Sequence, residues 1–160
     1  MLVTSLPFFR IIKKNKIMPN GSTHDTITIV IAPVIAGVSY WTTKDVKTTT
    51  IIFIAFLFAS FMFNGDLDTN SRPYNRWFIF KMIWIPYQLL FKHRSIFTHG
   101  LIIGTLIRVI YVGIIPLTIF AFRGEFLHNL FTPSNLHILF LILIGFEVGS
   151  AIHTISDKIF

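Results

Sequence analysis

Residues Leu101–Phe122 read LIIGTLIRVIYVGIIPLTIFAF, and Arg108 is the one charged side chain among these 22 residues. A helix needs about 20 apolar residues to cross the hydrocarbon core of a bilayer. The length and composition of this stretch therefore predict a transmembrane helix, and the rest of the chain is interpreted around it.

Three shorter apolar stretches lie elsewhere in the chain. They are Thr26–Trp41, Thr49–Phe63 and Leu136–Ile152, of 16, 15 and 17 residues. These lengths are at the lower limit for a span, but polar helix ends and local thinning of the bilayer can make up the difference. We therefore expect about four transmembrane helices. The alternative is that the short stretches form re-entrant or buried helices.

A fifth stretch, Trp77–Phe91, mixes six aromatic rings with Lys81, Pro86 and Gln88. Tyrosine and tryptophan rings prefer the boundary between lipid and water. The stretch therefore predicts an interfacial helix or loop that lies on the membrane surface, with a kink before Pro86 because proline disrupts the helix that precedes it.

The composition supports lipid as the solvent of this chain. Of 160 residues, 53% are hydrophobic and 13% are charged, whereas soluble domains are about 25% charged. A soluble globule of this size could not bury so much apolar side chain. The expected fold class is all-α: a polytopic membrane bundle that forms one metal-binding domain over residues 18–160. Residues 1–17 are expected to be an over-long gene start or a basic surface arm.

The net charge of +7 is explained by membrane topology better than by nucleic-acid binding, so no nucleic-acid partner is expected. With four spans, ten Lys and Arg residues fall on the side of both termini and of the long middle loop, and three fall on the other side. Cytoplasmic loops carry the excess of positive charge. We therefore predict a multi-pass membrane protein with both termini in the cytoplasm and membrane lipid as its surroundings.

Histidines and aspartates gather at the ends of the predicted spans. On the predicted cytoplasmic side lie His24 and Asp25 before the first span, Asp66 and Asp68 in NGDLD after the second, His93 and His99 in KHRSIFTHG before the third, and His153 and Asp157 in HTISD at the end of the fourth. Two carboxylates at a helix C-terminus meet the unfavourable end of its dipole, so a cation is needed to offset them. With no cysteine in the chain, nitrogen and oxygen donors would hold that cation.

The remaining groups have simpler interpretations. Asp25 opens the first helix and is expected to cap it. His128 and His137 fall on the opposite side of the membrane and are expected to be structural. Arg108 and Glu147 lie at similar depths within two spans, so we expect them to pair, because unpaired charges in the membrane are costly. Glu147 also shares a helix face with His153 and could instead support the site.

The ordered set THD, GDLD, HRSIFTHG and HTISD resembles a family of small bacterial membrane proteins, best known from cyanobacteria, that are described as uncharacterised metal-binding proteins. That family is similar in turn to the LexA-regulated inner-membrane metal-dependent hydrolases, whose pattern is an N-terminal His, PDxD, HRxxTH and HxxxD. The resemblance runs from Met18 to Asp157. The positions that it implies for the metal site are His24, Asp66, Asp68, His93, His99, His153 and Asp157.

The departures from the hydrolase pattern bear on catalysis more than on metal binding. GDLD replaces PDxD, His93 and His99 are one residue further apart, and the chain ends three residues after Asp157. Two alternatives stay open: a metal-dependent hydrolase at the cytoplasmic membrane face, acting on a phosphoester or lipid-like substrate, and a non-catalytic metal-binding or structural membrane protein. No catalytic residue is assigned.

The donor set limits the metal and suggests how a substrate would be held. Nitrogen and oxygen donors suit Zn, Mn, Fe or Mg, as one ion with supporting residues or two ions bridged by a carboxylate. Arg94 and Arg72 are the candidate phosphate-binding residues, since arginine pairs well with phosphate oxygens.

The predicted orientation can be tested with a reporter fused after Asp157. Because the charge bias places this end in the cytoplasm, we expect activity from a reporter that works only in the cytoplasm and none from one that works only outside it. The opposite pattern would refute both the orientation and the placement of the His and Asp groups on one cytoplasmic face.

Overall fold

The computed structural model describes residues 21–120 and 131–159, and the described part of the chain is helical, without a strand. The α-helices are α1 (Gly21–Thr43), α2 (Val46–Met62), α3 (Arg72–Asn75), α4 (Trp84–Leu90), α5 (Ile96–His99), α6 (Ile103–Phe120) and α7 (Pro133–Ile159), with 3-10 helices at Gly65–Asp68 and Phe78–Ile83. This confirms the all-α prediction. The proposed extension at residues 1–17 lies outside the described residues.

Three helices of the described chain, rather than the four predicted, are long and apolar enough to cross a membrane. They are α1, α2 with its continuation to Asp68, and α7, of 23, 23 and 27 residues. Each exceeds its apolar stretch because the helix continues through polar residues at its ends. The stretch that had predicted the best span gives a shorter helix, because the chain forms α5 and a turn before α6 begins at Ile103.

Helix α2 packs most extensively against α7, and next against α1. A Cβ atom added at Gly145 would lie 2.5 Å from the carbonyl oxygen of Ile52 and 2.6 Å from Cβ of Ala55. One added at Gly149 would lie 2.8 Å from the carbonyl oxygen of Phe56 and 2.9 Å from Cβ of Ala59. Small residues four apart on both helices let the two backbones approach closely, as is common in membrane helix pairs.

The connection between α1 and α2 is short and well defined. Lys44 adopts a left-handed backbone conformation (φ 52°), and Asp45 then caps α2 by accepting a hydrogen bond from the Thr48 backbone N–H at 2.7 Å. A side chain that accepts this bond satisfies one of the free N–H groups of a helix start. The two helices therefore run antiparallel, and the end of α2 returns to the level of the start of α1.

The aromatic segment predicted to lie at the interface has two different faces. Trp84 and Tyr87 are fully buried and pack with Phe63 and Leu67 in the main aromatic cluster. The other face exposes Phe78, Ile79, Leu89 and Leu90, each more than two thirds exposed. Pro86 lies in the first turn of α4, where the missing N–H costs little, and the chain changes from 3-10 to α-helix just before it. The position of this segment on a membrane stays a prediction.

The predicted ion pair between Arg108 and Glu147 is wrong. The Arg108 guanidinium donates to the Thr98 carbonyl oxygen at 2.6 Å and to Ser150 Oγ at 2.8 Å. Glu147 Oε1 instead accepts a hydrogen bond from the Ile102 backbone N–H at 2.8 Å. This bond places a carboxylate at the N-terminus of α6, the end of the helix dipole that favours negative charge.

Substitution of Gly149 by Ala should destabilise the protein, because the new methyl group has to displace α2 backbone and Ala59. Overpacking of this kind costs roughly 1–3 kcal/mol. The matched controls are Gly37→Ala in α1 and Gly113→Ala in α6, where an added Cβ meets nothing within 4 Å. We expect these to leave the melting temperature unchanged or raise it, since Ala favours helix over Gly. Thermal unfolding in detergent measures all three, and equal effects would contradict the packing argument.

Candidate metal centre

The site forms where several helix ends meet. His24 lies in the first turns of α1, Asp66 in the 3-10 helix that follows α2, and His99 at the last residue of α5. His153 and Asp157 lie one turn apart near the end of α7. The sequence predicted this convergence, and the structure brings all of these side chains together.

Four side chains form a central group: Asp66, His99, His153 and Asp157, whose candidate ligand atoms all lie within 4.8 Å of one another. His153 Nε2 is 3.5 Å from Asp66 Oδ2 and 3.5 Å from Asp157 Oδ2. His99 Nε2 is 3.5 Å from Asp66 Oδ1 and 3.6 Å from Asp157 Oδ2. The four side chains are between 3% and 19% exposed, so the group is largely shielded from water.

The spacing within the central group fits metal ligands better than hydrogen-bond partners. Hydrogen bonds between these atom types are about 2.7–3.2 Å long. Two ligands bound tetrahedrally to one zinc-like ion at about 2.0–2.1 Å are about 3.3–3.4 Å apart. In agreement, His99 Nε2, His153 Nε2 and Asp157 Oδ2 are buried without a hydrogen-bond partner. Buried polar atoms are rarely left unpaired, so the residues fit a divalent cation.

His24 contacts the central group through Asp157. Its Nε2 is 3.1 Å from Asp157 Oδ1, and its Nδ1 is 2.7 Å from Ser156 Oγ. The oxygen that it contacts is the one that does not face His99 and His153. His24 therefore orients the carboxylate from outside the group, a role that often accompanies metal ligands. Ser156 was not predicted, because a lone serine in a helix carries no signal in the sequence.

Asp68 and His93 form an outer group with the other ring nitrogen of His99. Asp68 Oδ2 is 3.7 Å from His99 Nδ1, and Asp68 Oδ1 is 2.8 Å from His93 Nδ1. The hydrogen bond that His93 donates to the Asp68 carboxylate raises the pKa of His93 above its usual value, against the opposing effect of burial. The seven predicted positions therefore divide into four central side chains and three that contact them. Asp68, His93 and His99 are also spaced to hold a second ion.

Glycine is required at position 65 because the His99 ring packs closely against it, and not because of its backbone conformation. None of the described glycines has a positive φ. A Cβ at Gly65 would lie 2.8 Å from Cδ2 and 2.9 Å from Nε2 of His99. The His99 ring therefore packs directly over Gly65, and this contact fixes Nε2 beside Asp66.

Asp25 is not the helix cap that its position suggested. It lies inside α1 and binds two arginines: Arg76 Nη2 at 2.6 Å and Arg72 Nη1 at 3.2 Å. Arg76 also donates to the Phe61 carbonyl oxygen at 2.9 Å. The pairing ties α1 and the end of α2 to the segment after Asp68. Arg76 was missed because its partner is 51 residues away in the chain.

A cavity of about 200 Å³ opens beside the central group. Its walls include His24, Asp66, His153 and Asp157, together with the two predicted phosphate-binding residues, Arg72 and Arg94. Arg72 is half exposed and paired with Asp25, whereas Arg94 makes no ion pair within the described residues. Of the two far-side histidines, His137 is exposed near the start of α7, and His128 lies outside the described residues.

Comparison with known proteins identifies the family. Residues 19–160 match the model of a family described as uncharacterized metal-binding protein (DUF2227), and the chain belongs to this family. Metal binding by His and Asp groups is therefore supported by the family as well as by geometry, although the identity of the metal is not given by either.

The chain also resembles another protein over part of its length. A protein described as uncharacterized, from Aquifex aeolicus (strain VF5), is 37% identical over 60 residues, which are 37% of this chain and 42% of the relative. The match thus covers about two fifths of the length of that relative. No solved structure matches the chain significantly.

Removal of a central side chain should reduce both metal content and stability. We expect Asp66→Ala and His99→Ala to lose bound metal and to lower the melting temperature, because an ion that binds only the folded state stabilises it. Chelator should lower the melting temperature of the wild type in the same way. Metal analysis and thermal unfolding of the purified protein measure these effects.

His137→Ala is the control, since this histidine is exposed and far along α7 from the site. It should keep the metal content and the melting temperature of the wild type. Full metal content in Asp66→Ala, together with no effect of chelator on the wild type, would show that the shared site does not exist.

Proposed function

We propose that the protein is a membrane metal-dependent hydrolase that acts on a phosphoester at the cytoplasmic membrane face. The observation that carries the proposal is the cavity beside the central group, since a catalytic metal site keeps a position open whereas a structural site is closed. Arginine side chains in the wall of that cavity suit a phosphate. The largely buried position of the group also supports a reaction from which bulk water is excluded.

The side chains of the site have separable roles in such a reaction. A divalent ion bound by Asp66, His99, His153 and Asp157 would supply Lewis-acid activation of a water molecule near neutral pH. His24 holds Asp157, and the Thr98 hydroxyl, 3.0 Å from Nδ1 of His99, orients the His99 ring. Arg94 binds and orients the phosphate, with help from Arg72. Asp25 keeps Arg72 at the cavity wall and competes with the phosphate for its charge.

The directions of the helices support the proposed orientation in the membrane. The start of α1, the end of the α2 continuation, the start of the α5–α6 segment and the end of α7 all lie at the site. Helix α6 therefore leads away from it and α7 returns. We propose that this pair crosses the bilayer together, so that the protein has four crossings. The excess of Lys and Arg then places the site and both termini on the cytoplasmic side.

The second candidate is a non-catalytic protein that uses the metal to hold its helices together. One observation favours it: the four central side chains are by themselves enough to complete a tetrahedral zinc site. In that case the cavity would hold water and carry no reaction. The two candidates differ in whether the bound ion has an exchangeable water ligand.

Hydrolysis of a soluble phosphomonoester, such as p-nitrophenyl phosphate, distinguishes the candidates. We expect metal-loaded protein to release p-nitrophenol, chelator to abolish the reaction, and re-addition of one of Zn, Mn, Fe or Mg to restore it. Arg94→Ala should raise KM about tenfold, because a charged hydrogen bond contributes roughly 1.5–3 kcal/mol.

His137→Ala is again the matched control and should keep wild-type kinetics. A metal-loaded protein that turns over no phosphoester in a panel of soluble and lipid substrates, and whose metal shows no exchangeable water, would support the non-catalytic candidate instead. Chelator is expected to lower the melting temperature of the wild type in both cases, so stability alone does not decide between the two candidates.

A further inference from the structure

A second cavity, of about 310 Å³, also borders the central group. His99 and Asp157, two members of that group, form part of its wall. Arg94 and Lys158 supply two positive charges to the same wall. Arg94 lines both cavities, so a phosphate bound by it has access to the central group from this side as well.

Both cationic side chains are available to bind an anion. Arg94 and Lys158 are exposed and neither makes an ion pair with any residue that the structure describes. Arg94 also has a left-handed backbone conformation, with φ 58°, which is unfavourable for a residue other than glycine. Its N–H donates to Asp68 Oδ2 at 3.3 Å. The contact holds Arg94 next to the site in a backbone conformation that arginine does not favour. Residues in such conformations are common at ligand sites.

An apolar cavity of about 380 Å³ follows along the same side of α7. Helix α6 contributes Leu106, and α7 contributes Phe140, Leu143 and Ile144. It also includes Ile102, two residues after Gly100 in the wall of the second cavity. The polar cavity beside the metal group and an apolar groove between α6 and α7 therefore lie one after the other along α7.

The surroundings of the groove fit the acyl region of a membrane. Ile96, Leu101 and Ile102 are at least half exposed around the junction of the two cavities. Glu147 is the charged residue in the groove wall, and its carboxylate is turned to the Ile102 backbone N–H. From Phe140 to Asp157 the helix rises about 25 Å, which leaves room for a headgroup and for a chain about as long as one leaflet, roughly 15 Å.

We propose that the ligand of this site is an anionic lipid with a terminal phosphate. Its phosphate binds between Arg94 and Lys158 beside His99 and Asp157, and its acyl chain lies in the groove between α6 and α7. The two positive charges favour a phosphate headgroup, and the apolar groove favours an acyl chain. The proposal rests on the proposed function, because it names the substrate class for the same metal site.

Binding of 1-oleoyl-glycerol 3-phosphate to the metal-loaded protein in detergent tests the proposal, with native mass spectrometry as the measurement. Glycerol 3-phosphate and monooleoylglycerol are the two comparison ligands, since each has one half of the lipid. We expect the phospholipid to bind at least about tenfold more tightly than either, because each half adds its own interactions. Tighter binding of glycerol 3-phosphate, or equal binding of monooleoylglycerol, would overturn the proposal.

Two sets of variants locate the ligand. The double variant Arg94→Ala, Lys158→Ala should bind the phospholipid about tenfold or more weakly, since charged hydrogen bonds contribute roughly 1.5–3 kcal/mol each. Its binding of monooleoylglycerol should be unaffected. Leu106→Trp should fill the groove and weaken binding of the phospholipid. The matched control is Ile114→Trp, two turns further along α6 and 51% exposed against 48% for Leu106. Equal effects of the two Trp variants would place the acyl chain elsewhere.

Leu143→Trp, on the opposite wall of the groove, repeats the test if Leu106→Trp does not fold. Metal content and melting temperature of each variant report folding independently of the lipid. Hydrolysis of p-nitrophenyl phosphate by the same preparation keeps the two proposals apart. Hydrolysis without selective lipid binding refutes the lipid ligand alone, whereas groove-dependent lipid binding without hydrolysis of any phosphoester refutes the catalytic proposal alone.

Discussion

The close approach of α2 and α7 is the constraint on which the rest of the structure depends. Gly145 and Gly149 leave no room for a side chain against Ala55 and Ala59, so the two helix axes are held at a fixed separation. Asp66 follows the end of α2, and His153 lies one turn beyond Gly149. The contact in the apolar part of the bundle thereby sets the 3.5 Å spacing between Asp66 and His153 at its end.

Arg108 and Glu147 bind uncharged polar groups rather than opposite charges. Arg108 is 1% exposed, and its two terminal nitrogens donate to a carbonyl and to two hydroxyl oxygens, while Nε is left without a partner. Glu147 uses the free N–H of a helix start. Such contacts avoid the need to desolvate two charges for one ion pair. They also explain why depth in the membrane alone predicted the wrong partner for both residues.

The sequence contained enough to predict helices and the membership of the site, but not the internal arrangement of the site. Apolar stretches and the positions of His and Asp at their ends identified the residues, because helix ends converge where a bundle closes. Which ring nitrogen of His99, and which carboxylate oxygen of Asp157, faces the central group depends on the orientation of the side chain. The spacing of these residues in the sequence does not encode that orientation. The Gly145-x-x-x-Gly149 spacing was visible in the sequence, although nothing there showed which helix it faces.

Helix α5 is a single turn of four residues, and a helix this short does not form on its own in water. The position of His99 therefore comes from its neighbours: Arg108 and Tyr87 bind the carbonyl oxygens of Thr98 and Phe97, and the ring rests on Gly65. During biogenesis the long apolar helices are able to insert as independent units, and α5 takes shape only when they have assembled. Metal capture is then the last stage of maturation, and a metal-free bundle with its His and Asp side chains still unassembled precedes the metal-bound form.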